Sequence, residues 1–457
     1  MPDLEKHDVA IIGAGAAGLA AAKTLSSAGL NVCVLEARDR IGGRIHTHHD
    51  PATDVPIELG AEFVHGRPPE TLNLVRQSGI STEPVRGERW CFDEGRLHEC
   101  EYIEDEFDQV LGRLPAQGSA RDQSFADFLK SLPGISAETR KHVCAYIEGF
   151  EAAYPDRISA QALARENQAS DEIEGYRSFR ILNGYRALLS LLAPAKGADF
   201  PIRLNTAVRQ VTWSRDRVDI TAQDARGDHH VYARKAIVTL PLAVLQAKPG
   251  ETGAVAFVPE LKSKQNALDH LEMGPVIRVV LRFRERFWER IEADSKTGKR
   301  SLSEMSFLHS DDRVFPTWWT TMPRKTPILT AWSAGPHCST LAFQDQATIF
   351  SRALESLSRL MRVDRAELER LLEAHYLHDW QADPFARGAY SWAKVGGVGA
   401  AAELARPLDF TLFFAGEATD SNGHNGTVHG ALESGYRAAQ EVLLAMGKVA
   451  RSEPAAD

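Results

Sequence analysis

Residues 7–36 contain the pattern that most restricts the fold of this chain. In order, they contain an apolar run, a glycine-rich turn, an alanine-rich helical segment and a second apolar run that ends on an acid: 7–12, 13–18, 19–29 and 31–36. This order predicts a strand, a turn, a helix and a second strand. Within it, Gly13 permits a tight turn, Gly15 lets the backbone approach a pyrophosphate, and Gly18 lets the helix pack closely on the strand.

The acid at the end of this unit strengthens the prediction of a dinucleotide site. Glu36 follows Gly18 by eighteen residues, a distance at which a carboxylate can accept hydrogen bonds from the adenosine ribose. The N-terminus of the intervening helix offers unpaired N–H groups and the positive end of its dipole to the phosphates. A glycine pattern alone would be weak evidence, but here the strand, the helix and the acid agree. The choice between NAD and FAD stays open at this point.

Length and composition restrict the class of protein further. With 457 residues, of which 43% are hydrophobic and 25% charged, the chain is long enough for two globular domains. A net charge of −9 and the lack of a basic block or a long apolar run argue against nucleic acid and membrane partners. The polar residues 1–6 show no signal peptide, and the five cysteines lack a C-x-x-C pair. We therefore expect reduced thiols and a cytoplasmic protein.

A histidine-rich stretch, His46, His48 and His49, could suggest a metal site. These residues follow a Gly-Gly-Arg turn and lack carboxylate or cysteine partners at ligand spacing. We therefore predict no metal.

The segment directly after Glu36 offers a second contact to the pyrophosphate. Gly42 and Gly43 let the backbone pass close to a ligand, and the guanidinium of Arg44 can bind a phosphate. The run VAIIGAGAAGLAAAKTL, followed by VCVLEARDRIGGRIHT, resembles the N-terminus of the flavin-dependent amine oxidases. This family contains the monoamine oxidases, the polyamine oxidases and the histone lysine demethylases. Because NAD dehydrogenases do not usually follow the acid with a Gly-Gly-Arg segment, the resemblance implies FAD.

The stretch 57–66, IELGAEFVHG, resembles the family's loop beside the isoalloxazine ring. Gly60 and Ala61 leave room there for a flat ring system. His65 stands where plant polyamine oxidases carry a glutamate that faces the substrate. Because an imidazole is a weaker anchor for a cationic amine, the resemblance makes polyamines a less expected substrate. The alternative for His65 is a solvated loop histidine.

Two later segments resemble the family's adenine contact and its approach to the flavin. Val208 matches the residue whose backbone pairs with the adenine. The run 378–391 matches the approach to the flavin, and monoamine oxidases attach the flavin to a cysteine at the place of Ala389. Because alanine has no nucleophile, the resemblance predicts non-covalent FAD. Tyr390 is then predicted as one wall of the substrate cage.

The C-terminal signature, 412–419 and 426–435, extends the resemblance to the end of the chain. Gly416 ends a buried strand where the backbone can approach the cofactor, and Glu417 is predicted to hold a ribityl hydroxyl. The helix from Thr427 would direct its N-terminus at flavin N1 and O2. Monoamine oxidases place a tyrosine at Thr427, so the two-tyrosine cage is incomplete and a simple arylalkylamine is not the expected substrate.

A predicted strand around 277–282 carries a clear departure from the family. Its members usually have a lysine at the position of Arg278, and that lysine holds a water against flavin N5 and is thought to help reoxidation by O2. A guanidinium keeps the positive charge but never serves as a base. Arg278 therefore puts fast oxidase turnover in doubt and leaves flavin binding untouched.

Together these residues form the predicted site. The predicted catalytic residues are Arg278, Tyr390 and Thr427. The predicted cofactor-binding residues are Gly13, Gly15, Ala16, Gly18, Glu36, Ala37, Arg38, Gly43, Arg44, Gly60, Ala61, Glu62, Phe63, Val208, Trp380, Gly416, Glu417, Thr427 and Val428.

The resemblance implies an α/β fold in which a Rossmann-like FAD-binding domain (GR2-type) is interleaved with an α+β substrate-binding domain. The expected boundaries of the first domain are 1–76, 198–262 and 388–457. Those of the second are 77–197 and 263–387.

The implied reaction removes a hydride equivalent from an amine C–N bond to flavin N5, giving an imine that hydrolyses, with O2 reduced to H2O2. One alternative is an L-amino-acid oxidase that uses Arg278 for the substrate carboxylate, and another is a flavin dehydrogenase with a different acceptor. We expect a small-molecule amine and O2 as partners, without nucleic acid or membrane. Whether the chain forms a homodimer is left open.

Overall fold

The computed structural model describes residues 6–100, 104–119, 121–194 and 200–448, with the backbone alone at 104–106 and 108. Residues 1–5, on which the expectation of no signal peptide rests, lie outside the described residues, as do 198–199 and 449–457 of the expected first domain. Across the helices of the described ranges, none combines the length and the apolar composition that crossing a membrane requires.

The strands follow one another along the chain as β1 (Lys6–Ile12), β2 (Val32–Leu35), β3 (Thr47–His48), β4 (Ile57–Glu58), β5 (Phe63–His65), β6 (Thr82–Pro84), β7 (Glu88–Asp93), β8 (Arg96–Glu99), β9 (Ser178–Ile181), β10 (Ile202–Arg203), β11 (Ala207–Ser214), β12 (Arg217–Asp224), β13 (Gly227–Val238), β14 (Ala256–Val258), β15 (Leu271–Gly274), β16 (Val276–Phe283), β17 (Glu292–Ser295), β18 (Gly298–Ser301), β19 (Met305–Ser310), β20 (Thr317–Thr320), β21 (Ile328–Ala334), β22 (Leu372–Leu377), β23 (Tyr390–Ala393) and β24 (Leu412–Phe414). The α-helices are α1 (Ala16–Ser27), α2 (Pro69–Ser78), α3 (Glu104–Leu111), α4 (Phe125–Ser131), α5 (Ala137–Gly149), α6 (Ala160–Glu172), α7 (Leu242–Leu245), α8 (Gln265–His270), α9 (Gln346–Met361), α10 (Arg365–Leu371), α11 (Ala400–Ala405) and α12 (Val428–Ala445).

The first sheet has eight strands and contains the unit that the glycine pattern predicts. Its order is β10-β2-β1-β13-β12-β11-β14, with β24 also paired to β13. The strands β10, β2, β1, β13 and β24 run parallel, whereas β11, β12 and β13 are antiparallel to their sequence neighbours. A sheet with parallel strands is covered on both faces. Accordingly, Ile11 and Ile12 of β1 belong to two different apolar cores.

Glycines let the helices of this unit approach closely. Gly13 has a φ of +110°, and a Cβ on Gly18 would lie 2.0 Å from the carbonyl oxygen of Gly13. Helix α12 meets α1 in a similar way, since a Cβ on Gly435 would lie 2.3 Å from the carbonyl oxygen of Ala17. Both contacts require a residue without a side chain. The predicted packing role of Gly18 thus matches its position.

The second sheet has nine strands and a separate core. Its order is β18-β17-β8-β7-β19-β20-β21-β16-β22. Trp90, Trp288 and Trp318 are fully buried in this core, together with apolar residues of α9. Helices α4, α5 and α6 share a further apolar cluster that includes Phe125 and Val143.

The two large sheets are built from alternating parts of the chain. The first uses 6–35, 202–258 and 412–414, and the second uses 88–99 and 276–377. The predicted α/β fold class is confirmed. We propose that the sheets are the cores of two interleaved domains with the expected boundaries.

Two cysteines depart from the expectation of reduced thiols. Strands β7 and β8 form an antiparallel hairpin that brings Cys91 and Cys100 to a Cα–Cα distance of 5.0 Å, and a disulfide joins them. The expectation is therefore wrong for this pair, because their proximity depends on the register of the hairpin and not on a recognisable cysteine spacing. The free cysteines are Cys33, Cys144 and Cys338.

Candidate active site

A cavity of about 1630 Å³ is lined by both large sheets and by helices α5 and α6. Apart from Gly18, every residue of the predicted site lies in its wall. Gly18 lies behind the wall, at its close contact with Gly13. Residues as distant in sequence as Gly13 and Val428 therefore meet at one site.

Glu36 lies at the end of the cavity formed by the glycine turn. Its carboxylate is 3% exposed and accepts hydrogen bonds from the N–H of Ala14 at 2.8 Å and of Arg38 at 3.0 Å. These bonds fix the orientation of the carboxylate. Val208 lines the cavity on β11 just before Gln210, where the pairing of β11 with β14 begins.

The sequence analysis missed several wall residues near this end. Some of them directly follow β13 in the chain. Parallel strands present their carboxyl ends at one edge of a sheet, where ligands bind. The predicted strand that ends before Pro241 could therefore have identified the residues that follow β13. The missed wall residues are Thr206, Ala207, Thr239, Leu240 and Val255.

Arg38 is held by an acid that the sequence analysis also missed. Its guanidinium donates to the two carboxylate oxygens of Asp383 at 2.8 and 2.9 Å, and His378 contacts the same carboxylate at 2.9 Å. Burial raises the pKa of Asp383, but His378 and Arg38 outweigh it and hold this pKa well below its usual value. The charge of Arg38 is thus balanced within the protein.

Glu417 connects three segments around the middle of the cavity. One carboxylate oxygen accepts from the guanidinium of Arg44 at 2.7 Å. The other accepts from the hydroxyl of Ser391 at 2.6 Å and from the N–H of Gly426 at 3.0 Å. Arg44 also donates to the carbonyl of Ala389 at 2.7 Å. Both predicted ligand contacts, Arg44 and Glu417, therefore also hold the wall itself together.

The loop at Gly60 passes under a tryptophan. A Cβ on Gly60 would lie 1.9 Å from the carbonyl oxygen of Arg44 and 3.2 Å from the ring of Trp380. The indole N–H of Trp380 donates to the carbonyl of Leu59 at 2.7 Å and fixes the ring against this loop. The backbone of this loop therefore faces the cavity without a side chain at position 60. A larger residue there would displace the loop.

Arg278 lies in the wall beside this loop and is 4% exposed. Its guanidinium donates to the carbonyl of Gly60 at 2.9 Å and forms an ion pair with Glu62. The indole N–H of Trp319 donates to the same carboxylate at 3.1 Å, and the guanidinium lies 5.4 Å from the Trp319 ring. Arg278 therefore has fixed protein partners on the cavity wall.

A second buried arginine, missed by the sequence analysis, shares the carboxylate of Glu62. Arg180 of β9 pairs with Glu62 and donates to the carbonyl of Thr320 at 2.8 Å. Burial lowers the pKa of both Arg180 and Arg278 to about 9. Two desolvated guanidinium groups thus share the carboxylate of Glu62, and the buried Glu58 is a further opposing charge for both.

Thr427 is the N-cap of α12, whose first turn borders the cavity. Its hydroxyl oxygen accepts from the N–H of Gly430 at 3.0 Å, and the hydroxyl donates to the carbonyl of His424 at 2.7 Å. The predicted helix start is confirmed to within one residue. The hydroxyl of Thr427 is occupied by capping, which leaves the backbone N–H groups of the first turn as the polar groups beside it.

Another part of the wall is aromatic. The hydroxyl of Tyr390 donates to the carbonyl of Phe150 at 2.6 Å, and His65 contacts the hydroxyl of Ser178 at 3.2 Å. The ring of His65 lies 5.3 Å from that of Phe150. His65 is part of the cavity wall, so the alternative of a solvated loop residue is wrong. Burial lowers its pKa to about 4.

A polar cluster borders the start of α12. The side chains of Asp420, His424 and Glu433 bring ligand-type atoms within 4.8 Å of one another. Asp420 accepts from the N–H of His424 at 2.9 Å, and the His424 ring contacts Glu433 at 2.8 Å. These bonds account for the arrangement, so we interpret the cluster as a brace for the loop before α12.

The wall fits a dinucleotide that carries a flat ring system. It contains the glycine turn and Glu36, the bare backbone of Gly60 and Gly416, and the first turn of α12. A Rossmann-like unit and a second sheet that line one cavity are the arrangement of a flavoprotein.

The family described as flavin containing amine oxidoreductase matches residues 16–443. The chain belongs to this family, and it is an enzyme with FAD as its cofactor. The predicted family and cofactor are confirmed, whereas the roles of individual site residues stay predictions.

Curated relatives include a histone demethylase and a polyamine oxidase. The chain is 29% identical over 469 residues to lysine-specific histone demethylase 2 of Homo sapiens, which covers 96% of this chain and 54% of that protein. It is 29% identical over 479 residues to polyamine oxidase 4 of Oryza sativa subsp. japonica, covering 96% of this chain and 90% of that protein. The chain therefore spans about half the length of the demethylase and most of the polyamine oxidase.

Solved structures share the fold. A putrescine oxidase bound to putrescine has a TM-score of 0.78 and 22% identity, covering 96% of this chain and 99% of that one. Cyclohexylamine oxidase from Brevibacterium oxydans IH-35A has a TM-score of 0.76 and 20% identity, covering 97% and 100%.

Proposed function

We propose that the protein oxidises the C–N bond of a small-molecule amine to an imine, which hydrolyses to an aldehyde or ketone, while O2 is reduced to H2O2. FAD, when bound, supplies the acceptor for the hydride equivalent that leaves the carbon. The observation that carries this proposal is the continuity of the cavity wall. The same wall contains Gly15 and Glu36 of the Rossmann-like unit and also Tyr390 and other aromatic residues.

The aromatic residues would orient the amine and exclude water. The rings of Phe63 and Trp319 lie 5.8 Å apart, and those of Trp319 and Trp332 lie 5.6 Å apart, so they form one surface. Tyr390 is held by its hydrogen bond to the backbone. A fixed apolar wall of this kind accelerates a reaction by positioning the reacting C–H bond.

His65 would favour the reactive form of the amine. Loss of a hydride equivalent from the carbon requires a free lone pair on nitrogen. Because burial holds the pKa of His65 at about 4, its ring is neutral near pH 7, and it would not stabilise the ammonium form of the substrate as a carboxylate at this position would.

The contacts of Arg278 help to decide between the two alternative activities, an amino-acid oxidase and a dehydrogenase. An amino-acid oxidase would need an arginine free for the substrate carboxylate, but the guanidinium of Arg278 is taken by Glu62 and Gly60. This alternative therefore loses its support. A dehydrogenase with an acceptor other than O2 stays as the second candidate, because a fixed arginine stands where the family usually has lysine.

Anaerobic flavin bleaching tests the proposal. The FAD-loaded protein is mixed without oxygen with a panel of primary amines, secondary amines and amino acids, and the flavin absorbance is followed. We expect bleaching by at least one amine, and H2O2 equal to the amine consumed after air is admitted. Bleaching without peroxide supports the dehydrogenase. A flavin that no amine bleaches would contradict amine oxidation.

We also propose that the FAD is bound non-covalently, because Ala389 offers no nucleophile. Acid precipitation should release all of the flavin into the supernatant. Flavin retained in the protein pellet would contradict this.

A further inference from the structure

The cavity face of the second sheet connects Arg278 with the disulfide. One row of paired residues crosses the strands β16, β21, β20, β19 and β7, and each member of the row lines the cavity. In order, these residues are Arg278, Trp332, Thr317, His309 and Cys91. Because neighbouring strands lie about 4.8 Å apart, the row separates Arg278 from Cys91 by about 19 Å. The predicted reaction site and Cys91 therefore share one wall of the same cavity.

Cys100 lies beside Cys91 in this wall. Its N–H donates to the carbonyl of Arg89 at 3.0 Å, and its Cα lies 5.0 Å from that of Cys91. Both cysteines line the cavity and are only partly buried. Cys33 and Cys338 differ, because they are buried and burial raises the pKa of each thiol to about 12. A small molecule in the cavity can therefore reach the pair, unlike these two thiols.

Arg89 gives the pair a cationic neighbour. It precedes Cys91 by two residues on β7, so both side chains leave the same face of the strand. Arg89 lines the cavity as well, and no carboxylate among the described residues forms an ion pair with it. A cation beside a thiol favours the thiolate, which is the form of cysteine that reacts as a nucleophile.

Cys144 of α5 offers a comparison within the same cavity. It lines the wall and is a free cysteine. Burial and then the charge of Glu148 raise the pKa of its thiol, against the smaller opposing effect of Arg140. A thiol with a raised pKa stays protonated and is a poor nucleophile. Cys144 is therefore a matched control for a cavity thiol that lacks thiolate character.

We propose that Cys91 and Cys100 form a redox site that H2O2 produced in the cavity oxidises to the disulfide. This inference rests on the proposed function, because oxidation of the amine with O2 as acceptor supplies the peroxide. Peroxide released in the cavity meets the two cysteines along the shared wall.

Two thiols and one H2O2 give one disulfide and two waters. The thiolate sulfur of Cys91 attacks one peroxide oxygen, the O–O bond breaks, and the leaving hydroxide takes up the proton that the thiol lost. The sulfur of Cys100 then attacks the sulfenic acid on Cys91. The S–S bond forms, and the S–O bond breaks with loss of the second water. The thiols are oxidised by two electrons, and the peroxide is reduced by two.

Turnover of the dithiol enzyme tests the assignment. The FAD-loaded protein is reduced with dithiothreitol, freed of the reductant without oxygen, and mixed with O2 and an amine that bleaches the flavin. Excess catalase removes peroxide from bulk solution. Alkylation of free thiols followed by mass spectrometry measures the disulfide. We expect the Cys91–Cys100 bond to form with the amine present and not with O2 alone, while Cys144 stays alkylated.

Two variants separate this site from general oxidation. In C100S, dimedone should label Cys91 as the sulfenic acid during turnover. In R89Q, we expect formation of the disulfide to slow by about fivefold or more, because loss of the cation lowers the thiolate fraction. R86Q, in the same wall but before β7, is the matched control and should follow wild type. Retained FAD absorbance checks that each variant is folded.

Three results overturn the assignment. One is a disulfide that dithiothreitol leaves intact in the folded enzyme. Another is a bond whose formation catalase prevents, since the peroxide would then come from bulk solution. The third is oxidation of Cys144 as fast as that of the pair.

Failure of the proposed function is separable from failure of this site. If turnover yields no H2O2, the peroxide is added to the dithiol enzyme instead. Oxidation of the pair ahead of Cys144 then supports the redox site, while amine oxidation with O2 as acceptor is rejected. Equal oxidation of all three cysteines rejects the site.

Discussion

Arg278 and Glu62 form a buried ion pair in the cavity wall, with side chains only 4% and 9% exposed. The guanidinium also donates to the carbonyl of Gly60, on the loop that passes under Trp380. Arg180 binds the same carboxylate from the other side. The guanidinium at the usual lysine position is therefore held by protein partners through its two terminal nitrogens, whereas its Nε has no hydrogen-bond partner among the described residues.

We predict that Arg278→Lys speeds reoxidation of the reduced enzyme by O2. A lysine keeps the charge, makes fewer contacts with Glu62 and Gly60, and can donate to a water. The expected increase is about tenfold, equivalent to roughly 1.4 kcal/mol of barrier. Stopped-flow mixing of reduced enzyme with O2 measures it. Arg282→Lys, further along β16 and paired with Asp50, is the control. An unchanged rate in the Arg278 variant would show that the residue does not limit reoxidation.

We predict that Glu62→Gln lowers the free energy of unfolding by about 3–5 kcal/mol, because two buried guanidinium groups lose their carboxylate. Denaturant unfolding of the FAD-loaded protein measures the loss. Glu373→Gln, which removes a more exposed partner of Arg282, should cost less than about 1 kcal/mol. Equal effects of the two substitutions would mean that the Glu62 cluster is not a buried network.

We predict that Gly60→Ala weakens FAD binding by about tenfold or more, because the new Cβ would meet the carbonyl oxygen of Arg44 at 1.9 Å. The ratio of flavin to protein absorbance after dialysis measures retention. Gly399→Ala is the matched control, since a Cβ there meets no atom within 4 Å. Full FAD retention in the Gly60 variant would contradict the close approach of this loop to the cofactor.

We predict that Glu151→Gln raises the free energy of unfolding of the FAD-loaded protein at alkaline pH. The pKa of Glu151 is about 7 in the folded protein against 4.5 for an unperturbed carboxyl, so the folded state holds an extra proton between these values. Wild-type stability therefore falls as the pH rises through this window, and the full penalty is present above about pH 7. The variant should exceed wild type by up to roughly 3 kcal/mol at about pH 8 and match it below about pH 4.5.

Denaturant unfolding of the FAD-loaded proteins across this pH range measures the difference. Glu172→Gln should follow wild type throughout. A difference that is constant with pH would show that the carboxyl of Glu151 titrates normally.

Much of the fold was accessible from the sequence because its signals are local. The turn at Gly13 needs a positive φ, and the contact at Gly18 needs a missing side chain, so both positions are readable from a short window. Glu36, the acid predicted to bind the ribose, was identified from its spacing. The helix start at Thr427 was visible because an N-cap hydroxyl precedes an apolar stripe.

The side chains that bind the site residues could not be predicted from local sequence patterns. Asp383 binds Arg38 across 345 positions of sequence, and Arg180 meets Glu62 only because β9 packs beside β5. The disulfide between Cys91 and Cys100 depends in the same way on the register of one hairpin. No local pattern encodes such contacts, because they follow from how the sheets and helices pack.

The sequence by itself predicted a dinucleotide site, because glycine turns and spaced acids act through the backbone next to them, and its resemblance to the flavin-dependent amine oxidases implied FAD. The tertiary structure alone decided that Arg278 is tied to Glu62 and that Glu151 and Glu166 stand in one cavity without a partner among the described residues. Charge balance and burial depend on every group that packs around a side chain, and these neighbours come from distant segments of the chain.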